Sequence, residues 1–255
     1  MGGLSVVVRF EDAVFSYPKR PPVLNGVTLS VEAGEIVVLV GRSGAGKSTI
    51  LKLVNGLILP TSGAVRVEGC ATREWDGIRL RRHIGYVLQD VGLFPHMTVE
   101  ENVGLVPRLE RWTAEHTRSR ARALLELVGL PPAAFASRRP SELSGGQRQR
   151  VGVARALAVN PPILLMDEPF GALDPVTRVE LQRELVRIQR QLKTTVILVT
   201  HDMTEAFALA GRIGVLDAGR LVVCDTPEAV ARSRDSRVSA LLETLPRLPE
   251  PGAGL

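Results

Sequence analysis

Gly41-Arg42-Ser43-Gly44-Ala45-Gly46-Lys47-Ser48-Thr49 lies between the apolar run Ile36-Val37-Val38-Leu39-Val40 and the segment Ile50-Leu51-Lys52-Leu53-Val54. A buried strand turning through glycines into a helix is the setting of a phosphate-binding loop. Gly41, Gly44 and Gly46 leave the turn free of side chains, so consecutive backbone N–H groups can converge on phosphate oxygens. The helix starting near Lys47 aims its positive end at the same anion. Lys47 is expected to reach the β- and γ-phosphates of a nucleotide, and the Ser48 hydroxyl to ligate Mg²⁺. A glycine-rich turn that only capped a helix would require neither the Lys-Ser pair nor the strand before it.

A second motif narrows the purpose. Leu143-Ser144-Gly145-Gly146-Gln147 precedes Arg148-Gln149-Arg150 and the apolar-periodic Val151, Val153, Ala154, Ala156 and Leu157. Ser144 reads as an N-cap, and the two glycines let a phosphate approach the N–H groups of a second helix start. Shortly after it, Ile163-Leu164-Leu165-Met166-Asp167-Glu168 reads as an apolar strand that delivers two carboxylates at its end.

Together these residues resemble the ATP-binding cassette (ABC) ATPases, with the motifs in the family's order from about Phe10 to Pro227. The resemblance implies that Gly41 to Thr49 form Walker A and that Gln89 is the Q-loop glutamine. It makes Leu143 to Gln147 the signature motif, Asp167 the Walker B aspartate and Glu168 the catalytic glutamate. Ala172-Leu173-Asp174 is the D-loop by the same comparison, and His201 the switch histidine. The cofactors implied are ATP and Mg²⁺, with Ser48, Gln89 and Asp167 around the metal.

The chemistry of each residue fits its place. Asp167 and Glu168 are read as strand neighbours, so their side chains point in opposite directions and do different jobs. Asp167 would hold Mg²⁺ through water, and Glu168 would polarise the attacking water as general base. His201 ends the apolar run Thr195 to Thr200, from which its imidazole would hydrogen-bond the γ-phosphate. Tyr17, closing Val14-Phe15-Ser16-Tyr17, resembles the aromatic residue that stacks on adenine.

Composition is consistent with an aliphatic α/β protein. Of 255 residues, 45% are hydrophobic and only 4% aromatic, which suits a parallel sheet. No apolar segment approaches the roughly 20 residues of a membrane span. Met1-Gly-Gly-Leu-Ser lacks the basic and apolar regions of a signal peptide. Cys70 and Cys224 are too few for a disulfide framework and match no metal spacing, so a reducing compartment is expected. The net charge of +5 is spread along the chain and leaves no nucleic-acid footprint.

The expected fold is a P-loop NTPase (RecA-like) α/β core with an N-terminal antiparallel β-region and an inserted α-helical lobe. Residues 1–89 and 160–232 are assigned to the discontinuous core, 90–159 to the helical lobe with the signature motif, and 233–255 to a C-terminal tail. Thr98-Val-Glu-Glu-Asn102 is a capping-box-like start, and a helix is expected over Pro175–Leu192. The tail beyond Pro227 reads as a short helix and a Pro/Gly-containing, frayed end.

The segment Leu93-Phe94-Pro95-His96-Met97 after Gln89 reads as a loop built for a partner. In the family this surface receives a short helix of a membrane permease, a helix-in-groove mode of docking. The tract Ile84 to Val103 and Glu168 to Pro175 place the resemblance in the importer branch, closest to ATPases of glycine betaine, carnitine and choline uptake. It implies a peripheral subunit on the cytoplasmic face of the inner membrane, working with a permease and, indirectly, a solute-binding protein. A head-to-tail dimer with a second copy would let Ser144, Gly145, Gly146 and Gln147 complete each site in trans. Many of those ATPases continue into regulatory domains, whereas this chain stops at Leu255, so ionic-strength sensing by such a domain is not expected. Import of methionine, nitrate/sulfonate or polyamines is the rival reading. A non-transport ATPase acting on nucleic acid would need a coiled coil between Thr49 and Leu143 or a second P-loop, and the sequence has neither.

Overall fold

A computed structural model describes residues 5–245. The terminal Met-Gly segment and the Pro/Gly-containing end of the tail lie outside the described residues. The chain opens with two long strands, β1 (Val6–Ser16) and β2 (Pro22–Glu32), before the apolar β3 (Ile36–Val40). The sequence suggests several short strands in this region; instead Asp12 (φ 46°) and Gly26 (φ 70°) bulge continuous ones. Helix α1 (Lys47–Val54) follows, then β4 (Ser62–Val67), β5 (Cys70–Ala71), α2 (Gly77–His83) and β6 (Ile84–Val87). A helical stretch comes next: α3 (Val99–Val103), α4 (Leu105–Leu109), α5 (Ala114–Leu127), α6 (Pro132–Phe135), a 3₁₀ turn at Pro140–Glu142, and α7 (Gly145–Ala156). Alternation resumes with β7 (Ile163–Asp167), α8 (Pro175–Leu192), β8 (Thr195–Thr200), α9 (Met203–Leu209), β9 (Arg212–Asp217) and β10 (Arg220–Asp225). The chain then forms α10 (Pro227–Ala231) and α11 (Ser236–Leu242). Helix α11 is capped by Asp235 and buries Val238, and the expected frayed end beyond it lies outside the described residues.

Two sheets result. One is antiparallel, in the order β2-β1-β4-β5; the other runs β10-β9-β3-β8-β7-β6. In the second, β9, β3, β8, β7 and β6 are parallel and β10 is an antiparallel edge. Strands β3 and β8 are buried along their whole length, as expected for parallel strands covered on both faces.

Alternation along these strands divides the interior. Val37, Leu39, Leu165, Ile197 and Val199 face α1 and the antiparallel sheet. Val38, Val40, Leu164, Met166, Val196 and Leu198 belong to a second cluster with α5, α7, α8 and α9. The helices between β6 and β7 share that second core rather than hanging from the sheet. At the amino ends of the strands, Gln189 of α8 donates to the carbonyls of Gly34 (2.7 Å) and Thr194 (3.2 Å). Arg212 pairs with Glu35 across the same rim, and its Nη2 donates to the Ser30 carbonyl at 2.6 Å. No described helix is long and apolar enough to cross a membrane.

Helix α7 is seated on β6 through Gly85. A Cβ there would lie 2.5 Å from the Ala156 carbonyl oxygen at the end of α7 and 3.0 Å from Leu164. Gly85→Ala should therefore lower stability by about 1–3 kcal/mol through overpacking, read as an earlier urea midpoint with an unchanged slope.

Candidate functional site

The parallel register levels the carboxyl ends of four adjacent strands. Val40 of β3 pairs with Thr200 of β8, Val199 of β8 with Asp167 of β7, and Met166 of β7 with Val87 of β6. The loops that leave these ends carry Gly41–Thr49, His201, Asp167-Glu168 and Gln89 in one row. Ligands of open α/β sheets bind in the crevice outside such ends.

The phosphate-loop residues fall into two groups. Ser43 and Gly44 are exposed at its crest, while Ala45, Gly46, Lys47 and Thr49 are buried beneath. Gly46 holds φ 101°, and a Cβ there would meet Leu24 of β2 at 2.5 Å. Gly41 is dictated by packing: a Cβ would lie 2.3 Å from the Leu216 carbonyl oxygen. Gly46 also occupies the N-cap of α1 without a side-chain cap, so the first N–H groups of that helix retain their capacity for an anion. Lys47 donates from Nζ to the carbonyls of Gly41 (2.7 Å) and Arg42 (3.1 Å). Burial lowers its pKa, while Glu168 and Asp167 act in the opposite sense.

Ser48 and Asp167 meet across the row, the hydroxyl donating to Oδ1 at 2.9 Å. Tyr86 of β6, which the sequence reading passed over, approaches the other oxygen, Oη to Oδ2 at 3.5 Å. Burial raises the Asp167 pKa, with the Ser48 hydrogen bond acting against it. A half-buried carboxylate beside a hydroxyl is a hard-oxygen donor set suited to Mg²⁺, which binds through few protein ligands together with substrate phosphates. Among the described residues no cluster of three His, Cys, Asp or Glu forms a cage that would replace those phosphates. Gln89 lies exposed in the bend after β6, beside this pair in strand order.

Glu168 and His201 form the second pair, Oε2 to Nδ1 at 3.2 Å. The separation of Asp167 from Glu168 has a different cause from the one the sequence suggested. Strand β7 stops at Asp167, and Glu168 adopts a left-handed backbone, φ 42°. Its N–H still donates to the Val199 carbonyl at 2.9 Å, which anchors the residue to β8. Such a conformation costs a non-glycine residue roughly 1–3 kcal/mol and persists only where its surroundings enforce it.

Tyr17 follows β1 directly, exposed, its ring edge-on to Phe15 with centroids 4.9 Å apart. The β1–β2 hairpin that carries it rests on the phosphate loop, because Leu24 is the residue that crowds Gly46.

The motif at Ser144 heads α7 in a complete capping box. Ser144 Oγ accepts from Gln147 N–H (3.2 Å), and Gln147 Oε1 accepts from Ser144 N–H (2.9 Å). The two glycines are unlike. Gly145 is open, with nothing nearer than 4.0 Å to a notional Cβ, whereas one at Gly146 would strike Thr177 Cγ2 at 2.5 Å. Only Gly145 leaves room for a ligand; Gly146 seats α7 on the start of α8. Asp174 caps α8 by accepting from the N–H groups of Val176 (3.2 Å) and Thr177 (3.0 Å). Hydrogen bonding to Thr177 is the main reason its pKa is lowered. Ser144 and Asp174 are thus both helix caps.

Comparison with known proteins gives the chain's family. Residues 24–171 match the family model described as ABC transporter. The chain is 48% identical over 227 residues to the glycine betaine/carnitine/choline transport ATP-binding protein OpuCA of Bacillus subtilis, covering 89% of this chain and 60% of that protein. It is 48% identical over 229 residues to the osmoprotectant import ATP-binding protein OsmV of Salmonella typhimurium, covering 88% and 60%. The chain therefore spans about 60% of the length of these curated relatives. A solved dimeric ATP-binding cassette in a post-hydrolysis state with ADP and Pi is 35% identical, with a TM-score of 0.77 over 86% of this chain and 98% of its own. With the family model spanning the phosphate loop, the β6 and β7 ends and the Ser144 motif, the chain belongs to the ABC transporter family as an ATP-binding cassette.

Proposed function

We propose that this chain is the ATP-binding and ATP-hydrolysing subunit of an importer that takes up a small solute, a quaternary amine or osmoprotectant, through a separate membrane permease. The observation that supports it most is the pair of contacts at the level strand ends: Ser48 with Asp167, and Glu168 with His201. In this reading the exposed crest at Ser43 and Gly44, with the N–H groups opening α1, binds the phosphates, and Lys47 neutralises their β- and γ-charge. Ser48 and Asp167, with Gln89, hold Mg²⁺, which supplies further charge neutralisation when bound. Glu168 takes the proton of the attacking water as general base, and His201 fixes the carboxylate's orientation through their shared contact. Tyr17 stacks on adenine from the hairpin that rests against Gly46.

Dimerisation completes the site. Ser144 and Gly145 head α7 on the helical stretch after β6, and Gly145 leaves space for a phosphate. A second copy, placed head-to-tail, would offer this helix start to the first copy's nucleotide, with Asp174 at the shared boundary. The solved dimeric cassette with ADP and Pi supports this reading. The substrate class is supported by the names of the relatives, which serve glycine betaine, carnitine, choline and osmoprotectant transport. The permease would dock beside the loop after Gln89, leaving the cassette peripheral on the cytoplasmic membrane face. No part of the proposed action involves nucleic acid.

Glu168→Gln should retain ATP binding while turnover falls about 10²–10⁴-fold, the scale of a lost general base. Near-normal hydrolysis in that variant would remove Glu168 from the role. Lys47→Ala should instead weaken nucleotide affinity itself, measured by fluorescent-nucleotide titration. Site sharing is checked by mixing Ser144→Arg chains with Lys47→Ala chains. The mixed dimer keeps one intact composite site, so activity above either parent is expected, and no recovery counts against sharing.

A further inference from the structure

The segment 89–93 leaves β6 and carries Gln89, yet its firmest attachments are to another element. Arg155, in the last turn of α7, donates from Nη1 to the Gly92 carbonyl at 2.7 Å and from Nη2 to the Val91 carbonyl at 2.5 Å. Three residues earlier on α7, a Cβ at Gly152 would lie 2.4 Å from Val91 Cγ1. The valine side chain therefore occupies the space that the glycine leaves. Leu93 packs on the core cluster to which α7 contributes Val151, Val153 and Ala154. The segment is held by a two-pronged hydrogen bond, a close-fitting valine and an apolar anchor, while Gln89 and Asp90 stay exposed.

A guanidinium grips two consecutive carbonyls because its planar fork presents parallel N–H groups; an ammonium is a single point charge. The helix that holds this segment also starts at Ser144 and Gly145. We propose that Arg155, seated by the Gly152–Val91 contact, is a positioning residue that makes the Gln89 loop travel with α7. Gln89 and the Ser144 helix start then form one moving body, and any shift of the loop after β6 displaces the phosphate-binding end of α7. The inference rests on the ATPase reading above and adds to it the element that joins two of its parts.

Two measurements on the full chain test it. Hydrogen–deuterium exchange of the amides at 89–93 should rise about tenfold in Arg155→Lys and Arg155→Ala, with α8 and the parallel strands unchanged. Steady-state hydrolysis by Arg155→Lys should lose about tenfold in kcat with KM for ATP within about twofold, since the phosphate loop is untouched. Gly152→Ala provides a second arm: helix propensity alone would favour alanine, so any loss comes from displacing Val91. The Gly152→Ala/Val91→Ala double variant should recover most of the lost kcat. Unchanged exchange at 89–93 in Arg155→Lys overturns the tie, and so does a double variant no more active than Gly152→Ala alone. A wild-type chain without ATPase activity would instead count against the reading under Proposed function, and the exchange measurement would still decide the tie.

Discussion

The register of the parallel strands is the constraint on which the rest of the structure depends. Hydrogen bonds between β3, β8, β7 and β6 bring residues 40, 200, 167 and 87 to nearly the same level. Because side chains alternate, a one-residue slip of any of these strands would exchange its two faces between two separate cores. Burial of Val37 and Leu39 on one side, and of Val38 and Val40 on the other, holds β3 against that slip. The same apolar packing that stabilises the sheet therefore fixes, as a by-product, the spacing between the phosphate loop, the two carboxylates and the histidine. Chemistry of this precision needs a rigid base, and here the base is the hydrophobic core itself.

Within that frame the local backbone makes the finer distinctions. Asp167 remains on its strand and turns to Ser48, while Glu168 is rotated out of strand geometry and turns to His201. Burial chiefly raises the Asp167 pKa, and the neighbouring Glu168 adds to the rise. The left-handed residue gives each its own partner at a cost in strain, which the hydrogen bond from Glu168 N–H to Val199 helps to offset. The caps show similar economy: Ser144 and Asp174 each satisfy the first N–H groups of a helix and also stand where the proposed dimer contacts would form.

Much of this was legible in the sequence because the signals were local. Pro175 at the first position of α8, after an aspartate, marked that helix, and the apolar runs marked β3, β7 and β8. Four candidate site residues, Ser48, Asp167, Glu168 and His201, fall at or after strand ends that those runs made recognisable. What stayed hidden depends on contacts between distant residues. Nothing local distinguishes Gly145, open to solvent, from Gly146, pressed on Thr177 thirty-odd positions later. The left-handed turn at Glu168 is set by pairing with β8, not by its neighbours in sequence. Tyr86 went unmarked because its partner, Asp167, comes from the adjacent strand. Helix α2 is the exception: Asp76 accepting from the N–H groups of Ile78 and Arg79 is a local cap, and Asp76-Gly77 followed by Ile78 and Leu80 could have been read as one.

The opposite rim of the sheet has its own consequence. There Gln189 ties Gly34 to Thr194, and Arg212 ties Glu35 to Ser30, at the strand ends opposite those that carry the groups proposed for chemistry. Changes at that rim should register in melting temperature and leave catalytic constants alone. The molecule thus separates durability from activity along the axis of its strands. An engineer seeking a hardier cassette, or a lineage drifting towards one, has a whole edge on which to work without touching the phosphates.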